Sequence, residues 1–197
     1  MLTSVYEGRQ DAPLVADLLK LHHPHASVIV DCNYGGGRFW QGQPVIGIDT
    51  DPARACHLRA DNRVLPFKAD TVDVLTYDPP HIPDSGPQRK KDMDGIYTIA
   101  WGSHDIMPIV IPFLFEAWRV LRRDGIILAK LSDQVERNQK RWQVRGFENL
   151  CGELGFTVCD RVIKVRPAAG RQPWGEEHQR HAWQRHSDFV IVRKGHC

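Results

Sequence analysis

The residues with the clearest chemical potential are Asp78, Pro79 and Pro80, which directly follow the apolar stretch Val72–Tyr77. The β-branched and aromatic residues of that stretch predict a strand covered on both faces. Proline fixes φ and restricts the residue before it, so the strand must end here in a stiff loop. Open α/β sheets bind ligands at the carboxyl ends of their strands. A rigid carboxylate and a proline carbonyl at that edge could hold an amino group.

Three more acidic residues lie at or near the ends of predicted strands upstream. Asp31 precedes Gly35–Gly37, and glycines permit tight turns and close approach of the backbone to a ligand. Asp49 ends a strand about one βα unit later, the usual place for a carboxylate that binds ribose hydroxyls. Asp61 lies four residues before Leu65-Pro66-Phe67, where its carboxylate could accept a hydrogen bond from an adenine amino group. Each signal alone is weak, since glycine triplets are commonly turns and acidic strand ends are commonly caps. Together they describe a nucleoside-shaped site.

The elements that must position these residues alternate between strands and helices. Strands are predicted at 28–31, 45–49, 72–77, 125–131, 156–165 and 189–192, and helices at 11–22, 51–58, 113–122 and 139–154. This alternation predicts an α/β, Rossmann-like, mostly parallel sheet with helices on both faces. Residues 1–10 are expected to form a loose terminus. The connection from Gly37 to Val45 is short, so at most one turn of helix is expected there, with Phe39 and Trp40 as alternative cover for a ligand.

Composition places the chain among soluble globular proteins of one domain, residues 1–197. Its residues are 42% hydrophobic and 25% charged, and no apolar run reaches membrane-spanning length. The five cysteines are an odd number without CxxC spacing, which predicts free thiols and a reducing, cytoplasmic setting. A net charge of +2 does not by itself indicate nucleic-acid binding. Lys and Arg are concentrated at 89–91, 137–145 and 161–193, and such an uneven distribution can form a positively charged surface.

Two long polar segments, 82–104 and 166–187, are the predicted substrate loops, because loops of this length in a compact domain are usually functional or disordered. Their basic and aromatic side chains suit phosphate contacts and stacking, although an ordinary solvated loop is the alternative. The expected substrate contacts are Trp101, Arg171, Trp174 and Arg180. The histidines His178, His181 and His186 lack matching cysteines or carboxylates, so no metal is expected.

Taken together, the motifs resemble the class I S-adenosylmethionine-dependent methyltransferases, and within them the adenine-N6 and cytosine-N4 amino-methyltransferases of DNA. Asp78-Pro79-Pro80-His81 is similar to their catalytic D/N-P-P-aromatic tetrapeptide in three positions. The other stretches that carry the resemblance, over roughly residues 12–194, are Asp31–Gly37, Val45–Asp49, Asp61–Asp73, Glu116–Gly125 and His186–Val192.

The resemblance implies a seven-stranded sheet with an antiparallel terminal strand, and S-adenosyl-L-methionine as cofactor. The residues implied to bind the cofactor are Asp31, Asn33, Tyr34, Gly35, Gly37, Asp49, Thr50, Asp61 and Asn62. The implied catalytic residues are Asp78, Pro79, Pro80 and His81. An exocyclic base amine is a poor nucleophile, and acceptors on Asp78 and the Pro79 carbonyl would favour its pyramidal, attacking form.

Histidine at position 81 departs from the family's aromatic residue, which stacks on the flipped base. Histidine stacks less extensively and can also titrate or donate hydrogen bonds. The favoured acceptor is DNA, with RNA as a second choice. The alternatives are methylation of a small molecule or a protein amide, and a catalytically inactive nucleic-acid-binding subunit.

Overall fold

The structure is a computed structural model that describes residues 2–79, 106–136, 139–165, 181–182 and 184–197. Over these residues the chain forms three helices, α1 (Ala12–His22), α2 (Met107–Val120) and α3 (Gln143–Glu153). The strands are β1 (Val5–Tyr6), β2 (Ile29–Asp31), β3 (Ile46–Asp49), β4 (Leu58–Arg59), β5 (Val72–Tyr77), β6 (Leu121–Leu131), β7 (Gln134–Glu136), β8 (Gln139–Arg141), β9 (Phe156–Val165) and β10 (His186–Lys194).

Eight of these strands form one sheet in the order β1-β9-β10-β6-β5-β2-β3-β4. Neighbours are parallel except for β10, which is antiparallel to both β6 and β9. The predicted mixed α/β, mostly parallel sheet with an antiparallel terminal strand is therefore confirmed. The eighth strand, β1, comes from the predicted loose terminus, because Val5 and Tyr6 pair with Ile163 and Lys164 of β9.

Helices cover both faces of the sheet, as predicted. On one face, Leu14, Val15 and Leu18 of α1 are fully buried against the sheet core. On the other face, Phe113 of α2 and Phe147 of α3 are fully buried in a second core. Strand β10 divides its side chains between the two cores by the period of two that a pleated strand imposes. Phe189 and Ile191 enter the α1 core, and Val190 and Val192 enter the α2–α3 core.

Asp73 ties the start of β5 to both of its neighbouring strands. Its Oδ2 accepts hydrogen bonds from the backbone N–H groups of Ser27 and Val28, and its Oδ1 accepts one from Arg122 at 2.8 Å. Burial alone would raise the pKa of Asp73, but these hydrogen bonds and the Arg122 charge bring it below its usual value. These contacts fix the position of the start of β5. Asp78, which follows the carboxyl end of this short strand, is positioned by the same contacts.

Several predicted boundaries differ from the structure. No helix forms between Asp51 and Leu58, where turns lead into β4. Helix α2 begins at Met107, six residues before the predicted start at 113, so Pro112 lies inside the helix. Helix α3 begins at Gln143, since residues 139–141 pair with β7 in a separate two-stranded hairpin. Periodicity alone does not locate such ends, because capping and pairing depend on neighbours.

The prediction that all five thiols are free is wrong for two of them. Cys159 and Cys197 form a disulfide with their Cα atoms 5.6 Å apart, while Cys32, Cys56 and Cys151 are free. The antiparallel pairing of β9 with β10 carries the chain terminus back beside Cys159, and 38 residues of sequence separation hid that proximity. No helix in the described part of the chain has the length and hydropathy needed to cross a membrane.

Candidate active site at the carboxyl edge of the sheet

The structure brings Asp31, Asp49 and Asp78 to one edge of the sheet. Strand β2 lies between β3 and β5 in parallel register, with Asp31 paired to Gly47 on one side and to Thr76 on the other. Asp31 and Asp49 are the last residues of β2 and β3, and Asp78 directly follows β5, so the three carboxylates lie at the carboxyl ends of three adjacent strands. Ligands of doubly wound folds bind at this edge.

Asp31 is only 3% exposed, and its carboxylate is held by two donors. The Trp40 indole Nε1 donates to Oδ2 at 2.7 Å, and the Asn33 backbone N–H donates to Oδ1 at 3.0 Å. Burial raises the pKa of Asp31 to about 6, with a further contribution from the negative charge of Asp78. No helix forms between β2 and β3, and Trp40 from this connection contacts the site through Asp31. Phe39 is instead buried and packs near Phe189.

The raised pKa of Asp31 gives a testable pH dependence of stability. The folded protein binds this proton more tightly than the unfolded chain, whose pKa is near 3.8. The contribution of Asp31 to stability is therefore complete below about pH 4 and is lost as the pH rises through about 6, by roughly 2–3 kcal/mol. Asp31→Asn loses a hydrogen-bond acceptor at every pH but does not ionise. Urea unfolding should show a destabilisation by Asp31→Asn that is smaller at pH 7.5 than at pH 4.5. A destabilisation that grows with pH would contradict the assigned pKa direction.

The glycine loop, residues 33–37, is bound to the end of β3 through Asp49. The Gly35 N–H donates to Asp49 Oδ2 at 2.8 Å, and Asp49 Oδ1 accepts the Asp51 N–H at 2.8 Å. Gly35 and Gly37 have φ values of +53° and +65°, a region that only glycine enters without strain. The loop conformation therefore depends on these two glycines and on the carboxylate of Asp49.

Tyr34 from the same loop lies flat against β3. A Cβ atom at Gly47 would be 2.3 Å from the Tyr34 ring, so only glycine permits this approach. The Tyr34 ring also meets the His57 ring edge-on, with ring centroids 5.5 Å apart. His57 Nδ1 accepts the Gly47 N–H at 2.9 Å. The sequence predicted Tyr34 as a cofactor-binding residue, whereas Gly47 and His57 were not among the predicted site residues. The glycine within an otherwise apolar strand was the available signal for a close backbone approach.

Asp61 and Asn62 lie in a turn just beyond the carboxyl end of β4, on the same side of the sheet as Asp49. Asp61 forms a bidentate ion pair with Arg63, with Arg63 Nη2 at 2.5 Å from Oδ2. This hydrogen-bonded pair lowers the pKa of Asp61, so its carboxylate is an ionised acceptor. Thr50 is exposed between Asp49 and Asp51.

Asp78 belongs to a charge cluster that sequence reasoning did not find. Lys130 Nζ of β6 lies 3.3 Å from Asp78 Oδ2 and 3.0 Å from Asp11 Oδ2. Asp11 precedes α1 and also binds Lys164 of β9. Burial would lower the pKa of Lys130, but Asp78 and Asp11 raise it, so the ammonium stays charged. The signal for this cluster was a lysine at position 130 within the apolar strand Ile126–Leu131, where an unpaired charge would be costly.

The cluster contains two carboxylates and two ammonium groups, all partly or largely buried. Their side-chain exposures are 30% for Asp78, 21% for Lys130, 17% for Asp11 and 7% for Lys164. Paired charges with mutual hydrogen bonds tolerate such burial, whereas removal of one partner leaves the others uncompensated. The arrangement fixes the position of Asp78 and keeps positive charge beside it.

Part of the predicted site lies outside the described residues. Pro79 is buried directly after Asp78. The predicted catalytic residues Pro80 and His81 and the predicted substrate contacts Trp101, Arg171, Trp174 and Arg180 belong to the ranges that are not described. Within the described ranges, no group of three or more His, Cys, Asp or Glu side chains could hold a metal ion.

No protein-family model matches the chain, and no curated protein sequence matches it. Solved structures do resemble it. The 1,6-didemethyltoxoflavin-N1-methyltransferase of Burkholderia thailandensis, solved with 1,6-didemethyltoxoflavin and S-adenosylhomocysteine, aligns with a TM-score of 0.60 at 16% identity, over 95% of this chain and 80% of its own. A SAM-dependent methyltransferase from Archaeoglobus fulgidus aligns with a TM-score of 0.52 at 12% identity, over 93% of this chain and 94% of its own.

A candidate DNA modification methylase from Thermus thermophilus aligns with a TM-score of 0.45 at 15% identity, over 67% of this chain. The alignment spans only 48% of that protein's length. The alignments with the Burkholderia thailandensis and Archaeoglobus fulgidus enzymes have TM-scores above 0.5, and at their low sequence identity they show the fold alone. This chain has the Rossmann-like fold of S-adenosylmethionine-dependent methyltransferases.

Proposed function

We propose that this chain is an S-adenosylmethionine-dependent methyltransferase that methylates an exocyclic amino nitrogen of a nucleobase, with DNA as the favoured acceptor and RNA as the second. The observation that carries the proposal is the position of Asp78. It follows β5 and precedes a buried proline, on the same sheet edge as the glycine loop and Asp49. Methyl donor and amino acceptor would therefore meet at neighbouring strand ends.

The residues of the edge fit the cofactor by their chemistry. Asp49 is partly exposed at the end of β3, where it could accept the two ribose hydroxyls. The Asn33 side-chain oxygen is buried without a hydrogen-bond partner, although buried polar atoms normally have one. A bound cofactor could supply the missing donor. When bound, S-adenosylmethionine would provide an electrophilic methyl group on a sulfonium centre.

The acceptor amine would be held by Asp78 and the Pro79 carbonyl. Both groups accept N–H hydrogen bonds, which favour the pyramidal nitrogen whose lone pair is free to attack. Lys130 would act as a positioning residue, because its ammonium holds one carboxylate oxygen of Asp78 at 3.3 Å. With the carboxylate orientation set before the substrate arrives, less of the binding energy is spent on ordering the site.

The proposal is tested by incubating the protein with S-[methyl-³H]adenosylmethionine and parallel single-stranded DNA, double-stranded DNA, RNA and free nucleosides. Nucleoside analysis of the products should show label on adenine N6 or cytosine N4 in a polynucleotide. Label on a carbon, on a ring nitrogen or on an oxygen would contradict the assigned acceptor. No transfer to any acceptor, with retained nucleic-acid binding, would favour the inactive binding subunit instead.

A small-molecule N-methyltransferase is the second candidate. The 1,6-didemethyltoxoflavin-N1-methyltransferase of Burkholderia thailandensis aligns over 95% of this chain. The nucleoside arm of the same experiment separates the two candidates. Efficient labelling of free bases or nucleosides, with little labelling of polynucleotides, would favour the small molecule.

A further inference from the structure

The hairpin formed by β7 and β8, with Trp142 directly after it, follows the carboxyl end of β6, at the sheet edge that carries the candidate site. It follows β6 directly after Leu131, and it leads into α3 at Gln143. Asp133 Oδ1 accepts the Val144 N–H at 3.1 Å, which fixes the two ends of the hairpin to each other. One residue before Leu131, Lys130 contacts Asp78. The hairpin is thus anchored beside the group proposed to bind the acceptor.

Trp142 is the most exposed tryptophan side chain in the described part of the chain, at 62%. Lys140 Nζ lies 5.3 Å from the centroid of its ring, in a cation–π contact. Lys140 also donates a hydrogen bond to Gln184 Oε1 at 2.6 Å. Gln184 lies two residues before β10 begins at the same edge, so the hairpin lies beside the end of the second long basic segment.

The charge of the hairpin region is strongly positive. Residues 134–145 contain Arg137, Lys140, Arg141 and Arg145 against one acidic residue, Glu136. Arg145 in the first turn of α3 and Arg185 directly after Gln184 are both exposed. Basic side chains around an exposed aromatic ring are the combination that single-stranded nucleic-acid sites use, with cations on phosphates and a base on the ring.

We propose that this hairpin binds a nucleic-acid strand, stacking an unpaired base on Trp142 and contacting phosphates through Lys140, Arg141 and Arg145. This inference rests on the proposed function, because the hairpin would hold a polynucleotide acceptor beside Asp78. A protein partner is disfavoured by the composition, since the exposed large apolar side chains among the described hairpin residues are Val135 and Trp142, set among cations and glutamines. The strand can be DNA or RNA, which share the phosphate and base chemistry.

The test measures fluorescence anisotropy of a labelled 20-nucleotide single strand, as DNA and as RNA, with the full chain at several salt concentrations. Trp142→Leu removes the aromatic face and should raise the Kd about 5- to 100-fold, whereas Trp142→Phe should recover much of the affinity. Lys140→Ala should weaken binding and reduce the salt slope by about one phosphate contact. Arg123→Ala, an exposed arginine near the start of β6 at the opposite edge, is the charge-matched control and should leave the Kd unchanged.

The outcomes separate this inference from the proposed function. If Trp142→Leu weakens strand binding while no methylated product forms from any acceptor, the hairpin assignment holds and the catalytic proposal fails. Wild-type affinity in Trp142→Leu and Lys140→Ala would overturn the hairpin assignment, even if the wild-type protein methylates polynucleotides. Equal losses in Arg123→Ala and Lys140→Ala would also overturn it, because the effect would then be one of net charge alone.

Discussion

Replacing Asp78 with alanine is expected to lower methyl transfer on the order of 100- to 1000-fold, with cofactor affinity nearly unchanged. The substitution removes a preorganised acceptor for the substrate N–H, and loss of one such aligned polar group typically costs this much in rate. The measurement is single-turnover transfer of labelled methyl to the acceptor identified in the nucleoside analysis. Calorimetry measures the cofactor Kd separately. This Kd should change little, because Asp78 lies one strand beyond the glycine loop.

Two companion variants distinguish loss of the acceptor from loss of the fold. Asp78→Asn keeps one acceptor oxygen and the side-chain shape, so it should retain more activity than Asp78→Ala. Lys130→Met leaves Asp78 in place but removes the ammonium at 3.3 Å, so it should reduce kcat more than it raises KM. Circular dichroism should show all three folded. Full transfer by Asp78→Ala would reject the proposed role of the Asp-Pro loop.

In the proposed cofactor site, Asp49→Ala is expected to weaken S-adenosylmethionine binding by at least about 100-fold. Two hydrogen bonds from ribose hydroxyls to one carboxylate are charge-assisted, and each is worth about 1.5–3 kcal/mol. The same substitution also removes the acceptor of the Gly35 and Asp51 N–H groups, so the glycine loop would relax. Calorimetry with S-adenosylhomocysteine measures the loss, and Asp17→Ala on the exposed side of α1 is the control.

A double-mutant cycle separates the ribose contact from the loop contact. A cofactor analogue that lacks the ribose hydroxyls should bind the wild-type protein more weakly than S-adenosylhomocysteine does. In Asp49→Ala the two ligands should bind with nearly the same Kd, because the interaction partner is already gone. If the analogue loses equal affinity in both proteins, Asp49 does not contact the ribose. The cofactor assignment at the end of β3 would then be wrong.

Much of the fold followed from local patterns. The apolar stretch at 72–77 and the strands that end in Asp31 and Asp49 were recognisable because strand burial and turn chemistry act over a few residues. Those ends lie together in the structure because parallel strands of one sheet share a carboxyl edge. The helix predicted at 51–58 did not form, and β1 formed where a loose terminus was expected, because pairing partners outweigh weak local preferences.

What the sequence by itself determined is the order of six strands and three helices, and the placement of three carboxylates at strand ends, since both arise from short-range periodicity and backbone restriction. The tertiary structure alone decided the environment of Asp78. Its partner Lys130 is 52 residues away, and Asp11 is 119 residues from Lys130. The same holds for the Cys159–Cys197 disulfide and for the contact between Lys140 of the hairpin and Gln184. Contacts between residues so distant along the chain depend on how the sheet is ordered, and local residue preferences carry no information about that order.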